Sequence, residues 1–429
     1  MTRPREFHEI VLRGPEAGPF PLTWGQGNMW ESIVALGPES NRLNISWAFE
    51  VNTPLRVPEA LVRIERCLAR LDIFRVAFDE QRMEQTFQGK SVVGVHVTDA
   101  HIAELRTKAF GIGDVPIRVE LIREKGLVTY VAVVLSHLTF DGGVYYPLMR
   151  RLRDAVEGRE PSAASIQTEE LIRYERSAEG VRKSDAIIDR WVRAARRLPP
   201  GRGLMPTTAG TYSVVAIRSR ALAIAAQVLA VRSGVTVSGI VLAALTKMAR
   251  RHVEPQLSAI LLVSNNRMQP RLLDFVGQTL GNGLLLLPNG NSGEAFLSYA
   301  KVIYSRAIAA YLHARYDCVR WRHVLAGLSA RGQAADLSYY FNDVRIERDS
   351  WLGLEDRATE LRQGVRQETS VEVVERREMS DATFFANLDS VGQECLIKLV
   401  TDDNRIPPED AVALLTALED LLVEEALAS

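Results

Sequence analysis

Residues 127–143 read LVTYVAVVLSHLTFDGG, and in that order they spell a strand, a polar turn and the start of a helix. Leu127 to Leu135 form a nearly unbroken apolar, β-branched run. That suits a strand covered on both faces better than an alternating edge strand. The strand runs straight into Ser136 and His137. After Gly142 and Gly143 the pattern turns helical, because Val144, Tyr145, Leu148, Leu152 and Val156 fall on one helical face that can pack back on the sheet. Of seven histidines, only His137 follows a long apolar strand and precedes an aspartate by four residues. A histidine at such a strand end is partly desolvated, which disfavours the imidazolium and keeps one ring nitrogen free as an acceptor. Asp141 lies beside a buried element, where a lone charge is expensive, so a cationic or hydrogen-bonding partner is expected. Gly142 and Gly143 allow close approach of backbone or substrate. Taken alone, His-x-x-x-Asp also fits a satisfied histidine and a helix-capping aspartate at an ordinary strand end.

Working outward, residues 58–71 place Leu61, Ile64, Cys67, Leu68 and Leu71 at helical spacing with arginines between them, which predicts an amphipathic helix. Residues 159–211 contain Pro161, Ser162, a charged helix-like stretch through Trp191 and the breaker-rich run Leu198-Pro-Pro-Gly-Arg-Gly. The connection between two lobes is expected there. Residues 221–232 and 237–251 read as helices, the second with Thr236 as N-cap. Residues 257–263 read as a short buried strand, 294–313 as a helix and 337–342 as a strand. Residues 383–389 and 394–400 read as a hairpin around Ser390-Val-Gly. A final helix starts near Pro407-Pro408, and no internal repeat is visible.

The length of 429 residues is too great for one ordinary core and predicts two domains of roughly 200 residues. Hydrophobic residues make up 47% and charged residues 24%, which excludes a disordered chain and allows a sizeable core. A formal net charge of -1 gives no general attraction to nucleic acid or membrane, and neither is expected as a partner. Cys67, Cys318 and Cys395 are far apart and odd in number, without a C-x-x-C pair, so they read as reduced structural thiols and no metal site is expected. The N-terminus MTRPREFHEI lacks the apolar stretch of a signal peptide, and no run approaches the ~18 to 20 apolar residues of a membrane span. A cytoplasmic protein is the expectation.

The stretch LSHLTFDGG, residues 135–143, closely resembles the His-His-x-x-x-Asp-Gly signature of nonribosomal peptide synthetase condensation domains, with Ser136 in place of the first histidine. Three other stretches resemble core motifs of that family in the same order: LTWGQGNMW at 22–30, RLDIFRVAF at 70–78 and DFVGQTLGNG at 274–283. In the second, Arg70, Phe74-Arg75 and Phe78 fall where the family has Arg-His-Glu-x-Leu-Arg-Thr-x-Phe. Weaker echoes occur in ARYDCVR at 314–320 and SYYFN at 338–342, so the resemblance spans residues 20 to 400. In the 276–282 stretch the family's Asn-Thr pair is shifted by one, is preceded by glycine and lacks the usual following arginine.

The resemblance implies an α/β (α+β) fold of two chloramphenicol-acetyltransferase-like lobes in a V-shaped pseudo-dimer, with mixed sheets flanked by helices. The N-terminal lobe, 1–175, would carry the motif, and the C-terminal lobe, 176–429, a crossover hairpin near 380–400. His137 matches the catalytic histidine, which takes a proton from the attacking amine or holds that amine in line with a thioester carbonyl. Asp141 matches a structural aspartate that pairs with an arginine from the other lobe, and Arg267 in Val-Ser-Asn-Asn-Arg is the candidate. A tetrahedral intermediate needs donors near its oxyanion, and the backbone N–H of Gly142 or Gly143, at a helix start, is suitably placed, with Asn342 as a further candidate. Trp24, Gln26, Gly143, Gly277 and Asn342 are expected along the substrate tunnel. No bound cofactor is implied: the acyl group arrives on the phosphopantetheine arm of a peptidyl or acyl carrier protein acting in trans. The acceptor is a small-molecule or carrier-bound amine or alcohol. Three activities stay open: amide formation in nonribosomal peptide or related natural-product (antibiotic) biosynthesis, ester formation, and recruitment of another protein without catalysis.

Overall fold

The computed structural model describes residues 6–99, 103–201, 203–204, 208–288, 295–345, 361 and 368–428. The chain divides into two compact units. The first comprises Met1–Ser184 with Asn265–Gly281 and Asp317–Val319; the second comprises Asp185–Ser264, Asn282–Tyr316 and Arg320–Ser429. The division thus falls inside the helix Ala178–Ala195, upstream of the proline-glycine run at 198–203. Arg202 and residues 205–207 of the expected connection lie outside the described residues, as does Glu294, the expected first residue of the 294–313 helix. Segment Asn265–Gly281, expected in the C-terminal lobe, packs with the first unit and carries Arg267 there.

The first unit contains a five-stranded mixed sheet in the order Glu6–Arg13, Lys90–Thr98, Ile117–Glu124, Leu127–Leu135, Ile45–Leu55. Leu127–Leu135 is hydrogen-bonded on both sides, with Ile117 and Ile45 each opposite Leu135. Its last five residues are all buried, which explains the apolar run there. Leu127 and Tyr130 in the first half are exposed, so the expected cover on both faces holds only for the half that leads into the loop. Helices Val57–Leu68 and Tyr145–Val156 pack together and add Ile64, Leu68, Leu148 and Leu152 to the core of this unit. The first helix was expected to reach residue 71. It ends at Leu68, because Leu71 turns extended and Asp72–Arg75 form a tight 3-10 turn feeding the strand Val76–Asp79. Asp72 is used up there: its carboxylate accepts from the N–H groups of Thr168 (3.1 Å) and Glu169 (3.0 Å), at the start of helix Thr168–Arg176.

The second unit has a seven-stranded sheet in the order Gly281–Leu286, Ala259–Ser264, Tyr339–Asp343, Phe384–Val391, Cys395–Asp402, Thr208–Ser219, Ser370–Ser380. Tyr339–Asp343 is parallel to both neighbours, whereas Phe384–Val391 and Cys395–Asp402 form the antiparallel hairpin expected from Ser390-Val-Gly. That hairpin lies in the middle of this unit's own sheet. Three strands of this sheet escaped the sequence reading, as did the four other strands in the five-stranded sheet of Leu127–Leu135 in the first unit. Gly281–Leu286 was noticed only as part of a motif. Thr208–Ser219 follows the breaker-rich run directly, and Ser370–Ser380 (SVEVVERREMS) is an exposed, charged edge with no apolar periodicity. Helices Arg220–Ser233 and Val237–His252 are apolar on nearly every face because both are core, packed with Phe296–Leu312 and Pro408–Ala428. Among the described residues no single helix is long and apolar enough to cross a membrane.

Candidate functional site around His137

The loop that follows Leu135 is a tight turn closed by its own backbone. The Ser136 N–H donates to Pro116 O (3.0 Å), and Ser136 O accepts from the N–H groups of Thr139 (3.1 Å) and Phe140 (3.0 Å). His137 projects from this turn and is half-buried. Its Nδ1 lies 2.7 Å from Phe140 O. A carbonyl oxygen only accepts, so Nδ1 carries the hydrogen, and in the neutral ring Nε2 keeps its lone pair. Burial holds His137 below the ordinary imidazole range, against the opposing pull of the Phe140 carbonyl and of Asp141. Desolvation wins because these attractions do not replace the water that an imidazolium loses. The ring is therefore a neutral acceptor at physiological pH.

The motif-like stretches converge beneath this loop. Leu138 packs with Leu22, Trp30 and Ile33, which ties the loop to helix Trp24–Leu36. Phe140 packs against Phe74 with centroids 5.5 Å apart, and Phe78 meets the edge of Trp30 at 6.1 Å. Arg75 faces the other way, donating to Pro15 O and Gln88 O. The 70–78 stretch is thus a brace under the histidine loop.

Asp141 closes the turn and joins it to a distant segment. Its Oδ1 accepts from the Gly143 N–H at 2.8 Å and from Arg267 Nη2 at 3.1 Å. Its Oδ2 accepts from the Thr279 N–H at 2.7 Å and the Thr279 hydroxyl at 3.0 Å. Arg267 spends its remaining donors on Leu272 O (3.1 Å), Phe275 O (2.6 Å) and Gly277 O (2.9 Å). Both side chains are buried, with 6% and 1% of their surface exposed for arginine and aspartate respectively. Such a pair is tolerable only when every donor and acceptor is met, as here. Gly143 is required for it: a Cβ there would fall on Arg267 Nε and 2.6 Å from Cδ. Gly25 serves the same closeness elsewhere, since a Cβ would sit 2.6 Å from Gln278 O.

The sequence-derived residues therefore separate into different jobs. His137, Asp141, Gly142, Gly143, Arg267 and Gly277 belong to one cluster, with Ser136 at its base. The Gly143 N–H is already used by Asp141, whereas the Gly142 N–H has no partner among the described residues and Gly142 is exposed. Gln26, expected along a tunnel, is 0% exposed and builds structure instead. It completes a capping box with Thr23 and pairs with Gln85 (3.0 and 2.6 Å). Trp24 is likewise buried, its N–H donating to Glu175 Oε2 at 2.9 Å. Gly277 lies buried in the arginine cradle as an acceptor. Asn342 is in the second unit, where its amide reaches Asn387 at 3.2 Å across paired strands.

Sequence reading missed Gln278 and Thr279, although the 274–283 stretch had been singled out. Thr279 gives Asp141 two donors, and Gln278 Nε2 donates to His137 O (2.6 Å) and Phe140 O (3.0 Å). Phe74 was quoted for its motif, but its place under Phe140 was not foreseen. Among the described residues no group of three or more His, Cys, Asp or Glu side chains could hold a metal ion.

No family model matches the chain, and no curated protein matches it. Solved structures do. The chain is similar to the condensation domain of the Monacolin K polyketide synthase MokA, with a TM-score of 0.70 at 15% identity over 96% of this chain and 98% of that one. It is similar to the structure behind condensation domain-mediated chain release from the enacyloxin polyketide synthase, with a TM-score of 0.69 at 15% identity over 97% and 84%. It is also similar to the X-domain from teicoplanin biosynthesis, solved in complex with OxyB, with a TM-score of 0.65 at 18% identity over 96% and 94%. What is shared at these identities is the course of the backbone, nearly from end to end: this chain has the condensation-domain fold.

Proposed function

We propose that this chain is a condensation-type acyltransferase that joins an acyl group, held as a thioester on the phosphopantetheine arm of a carrier protein, to an amine. The observation that carries the reading is His137, a neutral imidazole with Nδ1–H committed to Phe140 O and the Nε2 lone pair left over. An α-ammonium group is not a nucleophile. Nε2 takes a proton or a hydrogen bond from the amine as nitrogen attacks the thioester carbonyl carbon, the C–N bond forms, the C–S bond breaks and the proton passes to the leaving thiolate. Such acid-base help is worth about 10² to 10⁴ in rate. The Gly142 N–H is the donor left over for the developing oxyanion, at the start of a helical turn. Asp141 and Arg267 do not touch substrate in this scheme; they fix the loop.

The test is incubation of the purified chain with acyl-carrier thioesters and amine or alcohol acceptors, followed by intact mass of the carrier. Acyl loss from the carrier with amide product, reduced about 10² to 10⁴-fold in His137→Ala, supports the proposal. Turnover with alcohols alone replaces the amide by an ester. A second reading, a recruiting module, draws on the likeness to the X-domain that was solved bound to OxyB. No turnover with any thioester, together with tight binding of a biosynthetic partner enzyme, favours that one.

A further inference from the structure

We infer that Gln278 is a positioning residue that fixes the tautomer of His137. The Phe140 carbonyl receives two donors at once, His137 Nδ1–H at 2.7 Å and Gln278 Nε2–H at 3.0 Å. The second hydrogen of the same amide reaches the His137 carbonyl at 2.6 Å. Both neighbours on that side are acceptors, so the NH2 must face them, and Gln278 Oε1 turns to the Leu280 N–H at 3.1 Å. Gln278 is 1% exposed and every polar atom of its side chain is engaged. The amide therefore holds two loop carbonyls, one of them the oxygen that decides which ring nitrogen is protonated.

The consequence is electrostatic. With the Phe140 carbonyl held against Nδ1, the other tautomer would set a nitrogen lone pair against an oxygen lone pair. Without the amide, that carbonyl is free to rotate away, and the two tautomers approach the balance of a free imidazole. The inference deepens the proposed acyl transfer, because only the Nδ1–H form offers Nε2 as a proton acceptor. Its test needs no substrate, so it stands or falls apart from that function.

Nitrogen-15 spectra of the histidine rings in the full chain, with His137 assigned from a His137→Gln variant, read the tautomer directly. The wild type is expected in the Nδ1–H form. Gln278→Met keeps the volume, removes both donors and is expected to lower the tautomer ratio about tenfold, the equivalent of one net hydrogen bond. If the wild type carries its hydrogen on Nε2, the inference is overturned whether or not the variant folds. It is overturned equally if Gln278→Met keeps its melting transition and an unchanged His137 spectrum. When thioester turnover has been established, Gln278→Met should lower kcat with little change in KM.

Discussion

Of the several carboxyl groups buried in the two units, Glu419 and Asp141 are satisfied in opposite ways. Glu419, on helix Pro408–Ala428 in the second unit, accepts from the hydroxyls of Ser219 and Thr369, with no cation in ion-pair range among the described residues. Ser219 is itself the N-cap of helix Arg220–Ser233, so the contact joins two helices that already share a large apolar core. Asp141 in the first unit meets a guanidinium and two further residues, and the segment it captures, Asn265–Gly281, adds only Val276, Leu272 and Phe275 to the clusters of that unit. Where apolar packing suffices, neutral hydroxyls complete the polar group. Where a distant segment has to be seated beside a reactive loop, charge does the seating.

Asp141→Ala offers the largest test of that contrast. It leaves Arg267 buried without its counter-charge and is expected to cost about 3 to 5 kcal/mol, read by chemical denaturation. An unchanged midpoint with lost turnover would instead make Asp141 a chemical group. Gly143→Ala drives a methyl into the Arg267 stem and is expected to cost about 1 to 3 kcal/mol. Gly142→Ala, where a Cβ would meet nothing within 4 Å, should melt like the wild type. Equal melting of both variants would mean that the arginine does not need the closeness seen here.

A weaker effect is expected from pH. Because burial lowers the pKa of His137, the unfolded chain binds this proton before the native chain does. Stability contributed by the neutral ring is thus full above the ordinary imidazole pKa and is lost as pH falls through the lower, native value. The slope is at most about 1.4 kcal/mol per pH unit and should shrink in His137→Gln. Denaturant melts through the mildly acidic range check the sign. The smallest change is expected for Glu419→Gln. The amide keeps an acceptor for the two hydroxyls, so a loss below about 1 kcal/mol is expected in the same melts. A loss as large as that of Asp141→Ala would abolish the distinction between the two sites.

Much of the site was legible in the sequence because it is local. The strand, the turn and the helix start of residues 127–143 follow from hydrophobic pattern and loop chemistry within one short window. So does the His137–Asp141 spacing. Arg267 was reached through family resemblance rather than through its neighbours, which carry no sign of a buried ion pair. Gln26 shows the opposite failure. Read as a tunnel residue, it is the third position of a capping box whose Thr23 was visible three residues earlier.

The amino-acid order by itself determined where chain direction changes, which apolar strand runs into the turn and which loop carries the histidine. These depend on side-chain pattern and backbone preference over a few residues. Tertiary structure alone decided that Gln278 grips two carbonyls 138 and 141 positions earlier. It also decided that Thr279 and Arg267 share one carboxylate, and that Asn265–Gly281 sits with the first unit. Such partners are chosen by the cost of burying a polar group unpaired, a cost that exists only once the chain has closed around it.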